Sequence, residues 1–319
     1  MLTEFELIKH CFNWPQNNET LIRAVGDDAS IIEVPSGFQL VQSIDTQVAD
    51  IHFPATAPAQ LIAQRALRCA ISDLAAMGAK PQAFHLALSL PKNTSQTWLE
   101  SFSAGLRACA NEYSIDLIGG DTTSSPVLVI TIQVQGLVPS GKALTRSKAN
   151  VGDFIWLSDE IGKSAAALES ILASPKAFVD NRPDVSDSEL AVAYYYPQAQ
   201  IELGQKLIGL ASSAMDISDG LLQDASHIAK ASGVCLNFTA ADIPISQSAI
   251  TRYGSAAALE FALCGGDDYQ LLFSAPQDAQ SALNALGCHC VGQVEKRSSD
   301  WILLDGQPVT NKITGYQHF

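Results

Sequence analysis

Four short acidic segments, each hinged on glycine, constrain this chain more than anything else in it. They are Gly26-Asp27-Asp28, Gly119-Gly120-Asp121, the run Asp216-Ile217-Ser218-Asp219-Gly220, and Gly265-Gly266-Asp267-Asp268. Two further acids stand apart: Asp45 closes the strand-like run LVQSID, and Asp73 lies in SDLAAMG. One Gly-Asp pair is an ordinary turn, because glycine takes positive φ and aspartate caps nearby amides. Several such pairs at the ends of apolar strand-like runs describe an α/β protein with acidic loops where open sheets place their ligands.

The pattern between these segments supports alternating helices and strands. Thr3 with Glu6 forms a capping box for a helix over 3–12. Strands are expected near 29–34 and 38–44, parted by the turn Pro35-Ser36-Gly37. A helix over 58–77 has Pro58 in its first turn and Gly78 just past its end. A strand over 82–90, a helix over 95–113, and strands over 115–118 and 127–138 complete a first half. Pro139-Ser140-Gly141 breaks the pattern. It resumes with a strand at 153–158, a helix at 162–173, a polar loop near 174–187 and helices near 188–211 and 219–232. Strands follow near 234–239, 269–274, 290–294 and 301–304, with helices near 246–263 and 276–286. The expectation is two α/β domains, 1–140 and 150–319, each long enough to bury a core.

A net charge of −14 excludes nucleic acid as the natural partner, since phosphate backbones call for a surplus of Lys and Arg. For an anionic small molecule the same charge calls for divalent cations between carboxylates and phosphates. The opening MLTEFELIKHCF has no basic stretch followed by an apolar run, and no apolar stretch reaches membrane-spanning length. The expectation is a cytoplasmic protein with no membrane partner. The cysteines form one tight cluster, Cys288-His289-Cys290, and no CxxC; zinc usually needs two such clusters, so they read as reduced thiols.

Asp73 is the most informative acid. Ile62, Ala66, Cys69 and Asp73 are spaced 4, 3 and 4, so the aspartate continues an apolar helical stripe. A carboxylate there must be paired, capped or on a metal, and Arg65 and Arg68 lie near in sequence. Scattered aspartates without clustered His or Cys suit Mg²⁺, which suggests phosphoryl chemistry. Gly162-Lys163-Ser164 looks like the end of a P-loop, but Leu157 stands where its first glycine belongs. It is either an ordinary helix start or a set of amides facing an anion. No GxGxxG or GxSxG occurs. His52, in ADIHF, is a candidate site residue. Arg146 and Lys148, in ALTRSK, are either a solvated linker or a basic pair for ligand phosphates.

Taken in order, the strings GDDAS, SIDTQVADIHF, SDLAAMGAKP, LIGGDTTSS, ALTRS, MDISDGLLQDASHIAKAS, CGGDDYQLLF and GYQHF resemble the thiamine-monophosphate kinases, within the aminoimidazole ribonucleotide synthetase superfamily. The resemblance runs from residue 26 to 319. It implies an α/β (α+β) fold of two domains, aminoimidazole ribonucleotide synthetase-like, with an N-terminal sheet domain that binds ATP and Mg²⁺ and pairs in a homodimer, and a C-terminal α/β domain. ATP would bind in a cleft between the domains, and thiamine phosphate plus ATP would give thiamine diphosphate plus ADP.

By motif, the Mg²⁺ ligands would be Asp28, Asp45, Asp73, Asp121, Asp216 and Asp219, assisted by Ser43 and the Ile44 carbonyl. ATP would meet Tyr113, Gly120, Asp121, Arg146 and Ser218. The thiamine end would meet His52, Asp267 and Tyr316. The chain departs from the family pattern at Ile44 in SIDT, at Asp50 where glycine is usual, at Lys163 where an acid is common, at Asp267 where glutamate is usual, and at Gln270 for a later glutamate. A phosphate acceptor is largely ionised at pH 7, so the reading expects direct in-line transfer, no general base and no phosphoenzyme. Two rival readings remain: a sister ATP-dependent synthetase or selenophosphate-forming enzyme, and a non-enzymatic divalent-metal-binding module.

Overall fold

The computed structural model describes residues 6, 10–16, 18–173 and 188–309. The chain forms two compact units. The first is built mainly from the chain up to Leu74 and from Lys80–Gly141, and the second mainly from Ala75–Ala79, Lys142–Ser170 and the chain from Val185 onward.

In the first unit, β1 (Leu21–Arg23) and β2 (Ile31–Ile32) pair antiparallel. The main sheet has the order β3-β6-β4-β5, with β3 Phe38–Val48, β4 Lys80–Leu90, β5 Asp116–Ser124 and β6 Val129–Pro139. Helix α1 (Ala59–Ala76) precedes β4, and α2 (Gln96–Glu112) connects β4 to its parallel neighbour β5. A parallel pair needs such a crossover, whereas the β3–β6 and β4–β6 pairs are antiparallel. Ser95 starts α2 by accepting the Trp98 amide at 3.1 Å.

The pleat of β3 separates two faces. Phe38, Leu40 and Ile44 are exposed on one, with Ile44 at 66%. Ser43 and Asp45 alternate with them on the other, in rows that run into buried Val134, Ile132 and Leu86.

The second unit holds a seven-stranded sheet, β13-β12-β9-β11-β7-β10-β8. Its strands are β7 Phe154–Leu157, β8 Ser213–Asp216, β9 Cys235–Phe238, β10 Leu271–Ala275, β11 His289–Glu295, β12 Ile302–Leu304 and β13 Gln307–Pro308. The pairs are antiparallel except β9–β12. Its central strands are apolar on both faces because both are covered. Ile155, Leu157 and Leu272 join one core with Ile217, Leu221 and Ile228. Trp156, Leu271 and Phe273 join another with Leu207 and Leu283. The helices are α3 Lys163–Ala173, α4 Ser188–Tyr195, α5 Ile201–Lys206, α6 Leu221–Ser232, α7 Gln247–Tyr253, α8 Ser255–Cys264 and α9 Gln280–Ala285.

Two expectations are corrected. Asp45 does not close a strand: β3 continues to Val48, because Thr46 and Gln47 keep the alternation and pair with Thr131 and Ile130. The helices expected near 188–211 are present as two, parted around Pro197, which supplies no amide for an ongoing helix. The stretch 246–263 is also two, parted at Gly254. The helix expected at 3–12 lies largely outside the described residues, and the loop near 174–187 wholly outside them.

Candidate active site

In the first unit, α1 brings Asp73 against β3, where Ser43 Oγ donates to Asp73 Oδ2 at 2.5 Å. That contact accounts for an acid on an apolar stripe: the side chain is half-buried and hydrogen-bonded. Arg68, one of the two arginines near it in sequence, turns elsewhere. It pairs with Glu112, donates to Tyr113 Oη at 2.9 Å and lies over the Tyr113 ring.

Asp45 shares a row with Ile132, Leu86 and Gly120, and Gln47 Nε2 donates to its Oδ2 at 3.4 Å. Asp121 lies one row further on, beside Ala87 and Thr131. Adjacent rows alternate in face, so Asp45 sits on the Ser43 side and Asp121 on the open side with Ile44. Only glycine fits at 120: an added Cβ would stand 1.9 Å from the Leu86 carbonyl oxygen.

Asp28 is exposed in the loop after Gly26. A tie that sequence reasoning missed fastens that loop. Ser30 Oγ lies 3.2 Å from His85 Nε2, and His85 Nδ1 lies 2.9 Å from Gln133 Oε1. Gln133 Oε1 also accepts from Gln135 Nε2, so the His85 proton belongs on Nδ1 and Ser30 donates to Nε2. His52 follows β3, and its Nδ1 accepts the Val48 amide at 3.0 Å.

In the second unit two loops are laced together. Asp216 ends β8 and is buried. After it, the amides of Ser218 and Asp219 (2.9 Å each) and Gly220 (3.2 Å) all donate to Asp224 Oδ2 from the first turns of α6. Burial pushes the Asp224 carboxyl up to about 7 against the pull of these amides, and the charges of Asp219 and Asp216 add to the rise. The Asp267 amide donates to Ser218 O at 2.9 Å, and the Tyr269 amide to Ile217 O at 2.8 Å. Asp267 is left-handed, with φ 68°, and Tyr269 Oη donates to its Oδ1 at 3.3 Å. The approach depends on Gly266, where a Cβ would meet Ser218 O at 2.2 Å.

Asp268 resolves the reading of Gly162-Lys163-Ser164. Its Oδ2 accepts the Gly162 amide at 2.8 Å, and the Ser164 amide donates to it as well. The start of α3 is therefore filled by the protein's own carboxylate. Lys163 pairs with Glu160 at 2.9 Å and Glu189 at 3.5 Å.

Burial pushes Asp268 from its ordinary 3.8 to about 7. The folded chain then holds a proton that the unfolded chain has lost between about pH 4 and 7, so this group's contribution to stability falls as pH rises through that window. Urea midpoints measured from pH 5 to 8 should show that decline in the wild type and a flatter profile in Asp268→Asn.

Gln270 is buried. Its Oε1 accepts from Ser158 Oγ at 2.6 Å and Gln200 Nε2 at 2.9 Å. Arg146 O accepts from Ser232 Oγ, and the Arg146 charge adds to burial in pushing His227 below its usual range. Tyr316 lies outside the described residues.

The sequence-named residues thus meet in small groups: Ser43 with Asp73, and Asp267 with the Ser218 loop. Among the described residues, no three His, Cys, Asp or Glu converge so as to hold a metal ion. Mg²⁺ needs no such cage. It takes one or two carboxylates and completes its shell with water and phosphate oxygens. The all-oxygen set of carboxylates, hydroxyl and carbonyl fits that chemistry.

Residues 26–138 match the family AIR synthase related protein, N-terminal domain. A thiamine-monophosphate kinase of Escherichia coli strain K12 is 40% identical over 99% of this chain and 98% of its own length. The chain belongs to the thiamine-monophosphate kinase family. Two solved structures agree. The thiamine-monophosphate kinase of Stenotrophomonas maltophilia K279a superposes with a TM-score of 0.85 at 35% identity, covering 91% of this chain and 93% of that one. AaThiL complexed with AMPPCP and TMP superposes with a TM-score of 0.81 at 27% identity, covering 93% and 92%. The expected two-domain α/β fold is therefore that of the thiamine-monophosphate kinases.

Proposed function

We propose that the chain transfers the terminal phosphate of ATP to the phosphate of thiamine monophosphate, giving thiamine diphosphate and ADP, the last step in making thiamine diphosphate. The observation that carries this reading is 40% identity to a thiamine-monophosphate kinase with nearly complete coverage of both chains. A relative held in complex with AMPPCP and TMP supports the pair of substrates.

In this reading, residues 1–140 form the ATP-binding, Mg²⁺-binding and dimerising domain, and 150–319 the second α/β domain. Asp28, Ser43, the Ile44 carbonyl, Asp45, Asp73 and Asp121 of the first unit, and Asp216 and Asp219 of the second, would hold several Mg²⁺ ions. Bound there, Mg²⁺ supplies the positive charge that offsets repulsion between two polyanions. Gly120, Asp121, Tyr113, Arg146 and Ser218 bind ATP. Gly120 lets its strand pack closely on the Leu86 backbone, and the Asp224 anchor fixes the backbone of Ser218. His52 and Asp267 take the thiamine end, together with Tyr316.

The acceptor phosphate is already ionised, so transfer is direct and in line, without a base. Incubation with γ-labelled ATP and thiamine monophosphate should place the label in thiamine diphosphate and leave the protein unlabelled. Label on the protein contradicts direct transfer.

No described helix is long and apolar enough to cross a membrane, and this reading places the enzyme in the cytoplasm. It also pairs two copies of the chain. Phe38, Leu40 and Ile44 expose an apolar face on β3, an edge strand whose outer backbone is unpaired among the described strands. Leu40→Glu should shift the mass in sedimentation equilibrium from dimer toward monomer. A wild-type monomer would contradict the pairing.

A further inference from the structure

Asp50 holds a left-handed backbone conformation, φ 61°, two residues past the end of β3. Aspartate and asparagine tolerate that region better than other side-chain-bearing residues. Its contacts are more than tolerance. The Asp50 amide donates to Phe53 O at 2.7 Å, and Asp50 Oδ1 accepts the Ala55 amide at 2.8 Å. Enclosed by these two bonds is His52. Its own amide donates to Val48 O at 2.9 Å, and its Nδ1 accepts the Val48 amide at 3.0 Å. An Nδ1 that accepts leaves the ring proton on Nε2, so the loop presents His52 as an Nε2–H donor. A glycine at 50 would adopt the same φ but leave the Ala55 amide without this acceptor.

We infer that Asp50 is a positioning residue that orders the 50–55 loop before substrate arrives, and that through His52 it tightens binding of the thiamine-bearing substrate. The inference rests on the proposed substrate contact of His52. An ordered loop lowers the entropy lost on binding without altering the phosphoryl transfer.

Three variants and two readouts test it. Asp50→Asn keeps an oxygen acceptor for Ala55, Asp50→Gly removes it, and His52→Gln tests the contact itself. Asp50→Gly should raise KM for thiamine monophosphate about three- to tenfold, the scale of one hydrogen bond. Its kcat and its KM for ATP should stay within about twofold of wild type. Asp50→Asn should match wild type. Hydrogen exchange at the Ala55 amide should be faster in Asp50→Gly than in wild type and slow again in Asp50→Asn. A raised KM in His52→Gln with an unchanged KM in Asp50→Gly overturns the inference alone. An unchanged KM in His52→Gln removes the substrate contact of His52, and the effect on binding with it. Equal Ala55 exchange in all forms overturns the ordering of the loop.

Discussion

Asp73→Asn is expected to lower the rate of ADP formation by at least ~10², the scale of losing one electrostatic stabiliser in a transfer between anions. The substitution is conservative for the fold. The asparagine carbonyl can still accept from Ser43 Oγ, the contact that seats α1 against β3 at this point. Charge is lost and geometry is kept, so melting temperature should barely move while turnover collapses. Asp45→Asn should behave alike, because its carboxylate lies two residues along β3 on the same face as Ser43. Near-normal turnover in both variants would remove these aspartates from the site.

Asp224→Ala is expected to have the largest effect on folding, a loss on the order of 2–4 kcal/mol read from urea unfolding. Three amides, those of Ser218, Asp219 and Gly220, lose one shared acceptor. Burial raises the carboxyl to about 7, so keeping the aspartate charged is itself costly, and this offsets part of the loss. Asp224→Asn retains one acceptor oxygen without the charge and should be much milder. If Asp224→Ala unfolds at the wild-type midpoint, the loop does not depend on that anchor.

The same residues show what the sequence could and could not reveal. Helix α1 was legible because Pro58 and Gly78 punctuate a strong apolar stripe, and the stripe also pointed to Asp73. The full length of β3 was not: Asp45 read as a terminus, although the pairing continues through Thr46 to Val48. Asp224 carried only the signal of an acid in the first turns of a helix. Its role depends on how the preceding loop curls back. The tie from Ser30 to His85 spans 55 residues and two strands, and no local pattern announces it. Asp268 was visible as part of an acidic segment, but its capping of the Gly162 amide depends on a contact across 106 residues. The family itself was legible from the order of its strings, and the comparisons agree with it.

The central claim is the identity of the phosphate acceptor. The most direct test follows ADP release from ATP and Mg²⁺ with thiamine monophosphate, then with aminoimidazole precursors, then with no acceptor. The account predicts ADP release that depends on thiamine monophosphate, matched by thiamine diphosphate, with background in the other two arms. Equal release in all three arms, release only with an aminoimidazole precursor, or Mg²⁺ binding without any ADP would contradict it.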